Sequence, residues 1–141
     1  MTIIVKKTTQ ILVGIIVLFG AYIITHGHLT PGGGFAGGTI IAGAFILLIL
    51  AYGDDVMHLR ATKEDSSQLE NIALFMFLLF GSLGMFMIPS VFFKNYLPLG
   101  TVGELLSAGV IPLFNFFVGI EVAAALFTIF LAFVILKEED K

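Results

Sequence analysis

Four apolar runs, each about as long as a bilayer is thick, set the limits on what this chain can fold into: about Thr8 to Thr25, Gly34 to Tyr52, Leu69 to Phe93 and Val110 to Leu136. A helix needs roughly 20 mostly apolar residues to cross the hydrocarbon core. Little polar sequence remains outside these runs. Of the 141 residues, 58% are hydrophobic and 12% charged, and the mean hydropathy is +1.07. A soluble domain of this size needs far more polar surface. The expected fold is an all-α integral membrane protein, a single domain over residues 1–141 with four transmembrane helices. The first run is longer than a usual signal-peptide core. It continues into a histidine and glycine stretch without a small-residue cleavage site, so it reads as a retained span.

Orientation follows from Lys and Arg, which hold short flanks in the cytoplasm. An even number of spans puts both termini on one side. That side, with the connection between spans two and three, carries Lys6, Lys7, Arg60, Lys63, Lys137 and Lys141, whereas the other carries Lys94. The termini are therefore expected to be cytoplasmic, and the chain to be a multi-pass protein of the cell membrane. The mixed-sign stretch Asp54 to Glu70 reads as a solvated connection, with Asp54 and Asp55 at a helix end. No basic stripe with interleaved aromatics exists, which excludes a nucleic-acid partner. The chain has no cysteine, so disulfides, iron–sulfur ligation and a Cys-based zinc site are excluded.

Residues 26–39 read His-Gly-His-Leu-Thr-Pro-Gly-Gly-Gly-Phe-Ala-Gly-Gly-Thr and contain a literal G-x-G-x-x-G in Gly32, Gly34 and Gly37. A dinucleotide loop works only after a parallel strand, opening a helix whose amides meet the pyrophosphate. Here the glycines follow a membrane helix, and no acidic residue stands at the ribose-binding distance on the same side. The match is accidental. The glycines serve a tight turn and helix packing instead. Pro31 fixes its own φ and biases Thr30 away from helix, so Thr30-Pro31-Gly32 stops one helix and starts another. Gly34, Gly38 and Ala42 recur every four residues, as do Thr39 and Gly43, and such bare faces let helices approach in lipid until backbones touch. Gly37 and Phe35 complete this packing turn. A matching stripe on the first span is Gly14, Leu18, Ala21, Thr25 and His28. In the fourth span Asn115, Gly119 and Ala123 form one row, and Glu121, Ala124, Ala125 and Thr128 an adjacent one.

Among polar residues inside the apolar runs, Glu121 is the most informative. An unpaired carboxylate mid-helix costs roughly 2.5–3.5 kcal/mol on insertion scales, so a partner, a water-filled cavity or protonation must offset it. Two readings stay open: a proton or cation site, or a buried contact that holds a neighbouring subunit. No Lys or Arg of this chain lies at matching depth. His26 and His28 sit at the outer end of the first span, where a positive ring favours a helix C-terminus and an imidazole can also carry protons. They are too few for a zinc site, with His58 expected across the bilayer. Thr30 and Thr39 either line a polar cavity or bond a preceding carbonyl. Asn115 is expected to hydrogen-bond across helices, and Thr128 joins Glu121 as an ion-path or interface candidate. The Phe-rich third span, with Met76, Met85 and Met87, reads as lipid-facing or packing surface, and Pro89 as a kink near the outer interface. Between spans three and four, a short interfacial helix carrying Glu104 is expected, capped at Thr101 and ended by Gly109 and Pro112.

Two stretches carry a resemblance to a known family: His-Leu-Thr-Pro-Gly-Gly-Gly-Phe-Ala-Gly-Gly-Thr at 28–39 and Gly-Glu-Leu-Leu-Ser-Ala-Gly-Val-Ile-Pro-Leu-Phe-Asn at 103–115. Both resemble the MnhB (MrpB) family of the multisubunit Mrp-type cation/proton antiporters, in the same order and over nearly the whole chain. The resemblance implies a small accessory membrane subunit of a hetero-oligomer that exchanges sodium ions for protons, with other antiporter-type membrane subunits as partners. The same module recurs in membrane-bound hydrogenases and sulfur-reducing relatives, where a peripheral redox arm joins the assembly. This chain holds no ligand set for redox centres, so no cofactor is expected in it. Pro31 and Phe35 fall in the family's signature loop. Three functional readings follow: a subunit of a dedicated antiporter, the same subunit in a redox-driven complex, or a purely structural adaptor. A self-standing enzyme lacks any nucleophile, base pair or cofactor loop in context, so no catalytic residue is assigned.

Overall fold

The computed structural model describes residues 2–53, 59–87, 91–105 and 107–139. Asp54, Asp55, His58, Pro89 and Lys141 lie outside the described residues. Four helices form: α1 (Ile3–Thr25), α2 (Gly33–Tyr52), α3 (Leu59–Met87) and α4 (Ile111–Glu139). Each contains a segment long and apolar enough to cross a membrane, namely Ile3–Thr25, Gly33–Tyr52, Thr62–Phe86 and Ile111–Lys137. The described residues contain no strand.

The turn between α1 and α2 is built as its residues dictate. The Thr25 hydroxyl donates back to Ala21 O (3.1 Å) and Tyr22 O (3.0 Å), and the His26 amide donates to Tyr22 O, closing α1. Gly32 at φ 127° and Gly33 at φ 64° then reverse the chain, a backbone that a side chain would strain. At the opposite end of the hairpin the Tyr52 hydroxyl donates to Lys6 O (3.2 Å), and Lys6 Nζ lies 5.3 Å from the Tyr52 ring centre. This cation–π contact ties the start of α1 to the end of α2.

α2 is the central helix, packed by α1 on one side and α4 on the other; α3 packs on α4, and α1 reaches α4 more sparsely. The glycines set these distances. Gly34, Gly38 and Ala42 are buried, and a Cβ on Gly38 would stand 2.5 Å from Gly119 O of α4. Gly37 turns the other way, against Gly20 O and Ile24 of α1. Ile24 fills the three-helix junction, lying over Gly119 as well as Gly37. Further along, Ile49 of α2 packs with Phe127 and Leu131 of α4. Rings interlock between α3 and α4, with Phe77 on Phe114 (5.1 Å) and Phe80 on Phe117 (5.3 Å), so part of the Phe-rich face is packing surface.

Several expectations need correction. α3 begins at Leu59, so much of the supposed connection up to Glu70 is helix. Lys63, Glu64, Gln68 and Leu69 favour helix intrinsically, and an apolarity criterion does not see their contribution. α3 is described to Met87 and does not include Phe93, which has a left-handed φ of 58°. The short interfacial helix is not found among the described residues: the segment runs in turns, with left-handed Gly103, Ala108 and Gly109 breaking helical geometry. The α1 stripe of Gly14, Leu18, Ala21 and Thr25 faces away from the other helices. Leu18 is 73% exposed and nothing approaches Gly14, whereas Thr9, Gly20 and Ile24 point inward. Gly20 decides this rotation, because it lets the α1 backbone meet α2 at Gly37. On α2 the Thr39 and Gly43 row is also exposed, with nothing near Gly43.

Candidate functional site

The candidate residues divide between two places. The first is the crossing where the α1–α2 turn meets the start of α4. His26 caps α1: its Nδ1 donates to Tyr22 O (3.0 Å) and its ring stacks on Tyr22 at 4.1 Å. Thr30 Oγ1 donates to His26 O (3.1 Å) and Thr39 Oγ1 to Phe35 O (2.9 Å), each bonding the carbonyl four residues back. His28 reaches across the fold, with Nε2 donating to the Glu104 carbonyl at 3.3 Å. A carbonyl only accepts, so in the neutral ring Nδ1 is an acceptor, and it is buried without a partner. Asn115 Nδ2 is likewise buried and unpartnered. Its amide lies against Gly27 and Gly33, and its carbonyl against Gly34. The glycine turn thus forms a cradle around Asn115, and a side chain at Gly27 or Gly34 would collide with it.

The second place is the seam between α3 and α4. Thr128 Oγ1 donates to Ser66 Oγ (3.0 Å), which donates to Ala124 O (3.0 Å). This hydroxyl chain spans the two helices inside the apolar segments, with Ser66 buried. On α4 the contacts to α3 fall at Phe114, Phe117, Ala124 and Thr128, and Glu121 completes that spacing of three and four. On α3 they fall at Ser66, Phe77 and Phe80, a stripe that also contains Glu70 and buried Ala73. The antiparallel register brackets both carboxylates between the same two contacts, Ser66 with Ala124 on one side and Phe80 with Phe117 on the other. Glu121 is partly buried and makes no hydrogen bond or ion pair among the described residues. Crossing and seam are separate: α4 carries Asn115 toward α2, and Glu121 shares the spacing of its contacts to α3.

The first run of α3 is hard to read from sequence because its charges resemble a loop. Ser66, Glu70, Ala73, Phe77 and Phe80 nevertheless alternate by four and three, and that helical period is the available signal. Among the described residues no three His, Asp or Glu side chains gather as a metal site.

Among known proteins, residues 4–128 match the domain related to the MnhB subunit of the Na+/H+ antiporter. The chain belongs to this MnhB family. An uncharacterized protein of Methanocaldococcus jannaschii is 36% identical over 120 residues, covering 81% of this chain and 45% of its own length. The putative antiporter subunit mnhB2 of Staphylococcus epidermidis is 48% identical over 50 residues, 36% of each chain. A chain of the membrane-bound sulfane sulfur reductase, an archaeal respiratory membrane complex, superposes with a TM-score of 0.65 at 32% identity, over 91% of this chain and 56% of that one. The present chain thus spans about half the length or less of these relatives. Residues 28–39, one of the two stretches that carry the resemblance, form the turn at this crossing. Its Pro31, Gly32 and Phe35 stand at the surface, Phe35 65% exposed, while Gly34, Gly37 and Gly38 are buried.

One consequence of the seam is directly measurable. Ser66→Ala removes both bridging hydrogen bonds and leaves the Thr128 hydroxyl to turn back on its own helix. Interhelical hydrogen bonds in membranes average roughly 0.6 kcal/mol each, so this MnhB-family chain is expected to lose about 1 kcal/mol. Thermal unfolding in mild detergent measures this, and an unchanged midpoint would remove the hydroxyl chain from the account of packing.

Proposed function

We propose that this chain is an accessory membrane subunit of a multisubunit assembly that exchanges monovalent cations, sodium foremost, for protons, and that the α3–α4 seam contributes to the wall of the ion path. Family membership supports the antiporter-type assembly. The observation that carries the ion-path reading is Glu121: partly buried within a membrane-spanning segment, unpartnered among the described residues, and adjacent along the seam to the Thr128–Ser66 hydroxyls. Polar groups facing protein inside a bilayer are commonly associated with ion pathways. The parent membrane on this reading is the cell membrane, with both termini cytoplasmic.

The likeness to the sulfane sulfur reductase over 91% of the chain favours a second reading. The same subunit then sits in the cation-translocating module of a redox-driven complex, and electron transfer occurs in other subunits. A third reading, a structural adaptor without an ion-path role, is distinguished by the Glu121 variants below. The decisive test of the parent complex is extraction of the tagged chain from native membranes in mild detergent, with mass spectrometry of what stays bound. Antiporter-type membrane subunits alone support the dedicated antiporter. A hydrogenase-like or sulfur-reducing arm supports the redox-driven complex. A chain that purifies by itself from native membranes overturns the multisubunit reading.

A further inference from the structure

The exposed face of α3 changes character partway along the helix. Toward its start it carries Glu64, Asp65, Gln68 and Asn71, all exposed, with Lys63 and Ser67 half-buried beside them. From Ile72 onward it is apolar, and Ile72, Phe75 and Leu78 are exposed. Glu64, Gln68, Asn71, Phe75 and Leu78 follow one another at spacings of four and three, so the change takes place on a single side of the helix.

The other helices fix the depth of that change. α2 is 20 residues long and just crosses a hydrocarbon core about 30 Å thick. Its Phe45, which precedes the last residue Tyr52 by two turns, lines one cavity of about 270 Å³ with Thr62, Asp65 and Ser66 of α3 and Ala124 and Phe127 of α4. Asp65 and Ser66 thus lie about 10 Å inside the end of α2, and Asn71 about 17 Å inside it, near mid-membrane. On α4 the surface stays apolar past this level: Phe133 is 68% exposed and stands nearer the end of the bundle than Ala124 and Thr128, which meet Ser66. Leu50 of α2 is likewise exposed.

Lipid therefore suits α2 and α4 at this depth but not α3, because charged side chains inside the hydrocarbon are held against protein or water. Lys63, Glu64, Asp65, Gln68 and Asn71 make no side-chain hydrogen bond or ion pair among the described residues. A covering partner would have to match charges of both signs one by one, since an unmatched buried charge is strongly destabilising. Water needs no such match. Among the described residues α2 and α3 do not pack on each other, and Asp65 stands on the groove that this leaves over α4.

We propose that a water-filled vestibule runs along the polar half of α3. It opens at the end of the bundle where Lys6 meets Tyr52 and reaches the level of Glu70 and Asn71, so water and small hydrated ions enter about halfway across the membrane. It deepens the ion-path reading by giving the seam an entrance, but its hydration does not depend on Glu121.

The chain has no cysteine, so a single introduced thiol reports on its own surroundings. Glu64→Cys, Gln68→Cys, Asn71→Cys and Ser67→Cys are made in the tagged full chain, with Phe75→Cys and Phe133→Cys as lipid-facing controls. Each carries a nitroxide in the complex, reconstituted in bilayers. Relaxation by a water-soluble nickel complex reads water, and relaxation by oxygen reads lipid. At Gln68 and Asn71 the nickel effect is expected to exceed that at the controls at least about tenfold, because a polar complex enters hydrocarbon poorly, with the oxygen effect reversed. A membrane-impermeant thiosulfonate added to native vesicles from the side carrying the termini is expected to block these positions before spin labelling. Ser67→Cys exchanges only oxygen for sulfur and keeps the test if the other variants do not assemble. Strong oxygen and weak nickel effects mean that lipid covers this face, and weak effects of both mean that a partner subunit does; either overturns the vestibule. Blocking from the opposite side alone overturns its opening. None of these outcomes decides the role of Glu121, which its own substitutions test, and nickel access with full exchange in those variants removes the ion-path role while the vestibule stands.

Discussion

Glu121→Gln is expected to leave the chain assembled with its partners and to cut cation/proton exchange by the parent complex at least about tenfold, on the scale of the 1.5–3 kcal/mol that interactions with a charged group carry. The amide is close in size to the carboxyl and less costly to hold in an apolar surrounding, so packing along the α3–α4 seam survives. What it cannot do is release a proton or act as counter-charge to a cation. Glu121→Ala is expected to show the same loss of exchange with an added packing defect, because it removes a partly buried side chain between Phe117 and Ala124. Exchange is read as dye-reported pH change in vesicles on sodium addition, and assembly by native gel of the same preparations. Exchange that survives both substitutions with assembly intact removes Glu121 from the path and favours the structural adaptor. Assembly lost in both variants identifies a buried contact with a neighbouring subunit.

Glu70 sharpens this experiment. It shares the α3 stripe that faces the Glu121 stripe of α4, and the bracketing contacts place the two carboxylates at similar depth. Glu70 is therefore a second carboxylate along the same seam. The hydroxyls of Ser66 and Thr128 lie toward the end of the bundle where Ser66, Thr62 and Asp65 join mostly apolar neighbours, among them Phe45 and Phe127, around a smaller cavity of about 270 Å³. Polar groups bonded between two helices inside the apolar segments distinguish the seam from the α2–α4 crossing.

The membrane class and the number of helices were legible because transfer of peptide groups into lipid demands long apolar helices, and nothing else in 141 residues produces four such runs. The turn at Pro31, Gly32 and Gly33 was legible for a similar reason: proline and consecutive glycines restrict or free the backbone locally, whatever surrounds them. The facing of α1 was not. Gly14 and Gly20 are both small and both plausible contacts by spacing; which one meets α2 depends on where Gly37 comes to lie, a long-range condition. The start of α3 was hidden because charged residues in a first helical turn and in a loop look alike when only hydropathy is weighed. That error concealed Ser66 and Glu70, and with them the partner of Thr128. The unpartnered atoms of His28 and Asn115 belong to the same category, since burial of a polar atom is a property of the assembled turn and not of its residue types.

The largest structural effect is expected at Gly34. A methyl group there points at main-chain atoms of α4, the Asn115 carbonyl and, at 3.0 Å, the Gly119 amide. Backbone cannot rotate aside as a side-chain tip can, so Gly34→Ala forces α2 and α4 apart along their closest approach. Overpacking of a tight core costs typically 1–3 kcal/mol, and the upper part of that range, about 3 kcal/mol, is expected here. Gly38→Ala is expected to follow it, as its added methyl would meet Gly119 O and Val122. Gly43→Ala and Gly14→Ala are the matched controls: nothing lies within 4 Å of either added methyl, and in a helix alanine is favoured over glycine by roughly 0.8–1 kcal/mol. Thermal unfolding of the four variants in one detergent separates them, with two midpoints falling and two unchanged or raised. Equal midpoints across the set would mean that the α2–α4 crossing is looser than the geometry requires. A loss at Gly43→Ala seen only in the intact complex, and not in the isolated chain, would instead locate a partner helix on the exposed Thr39 and Gly43 row.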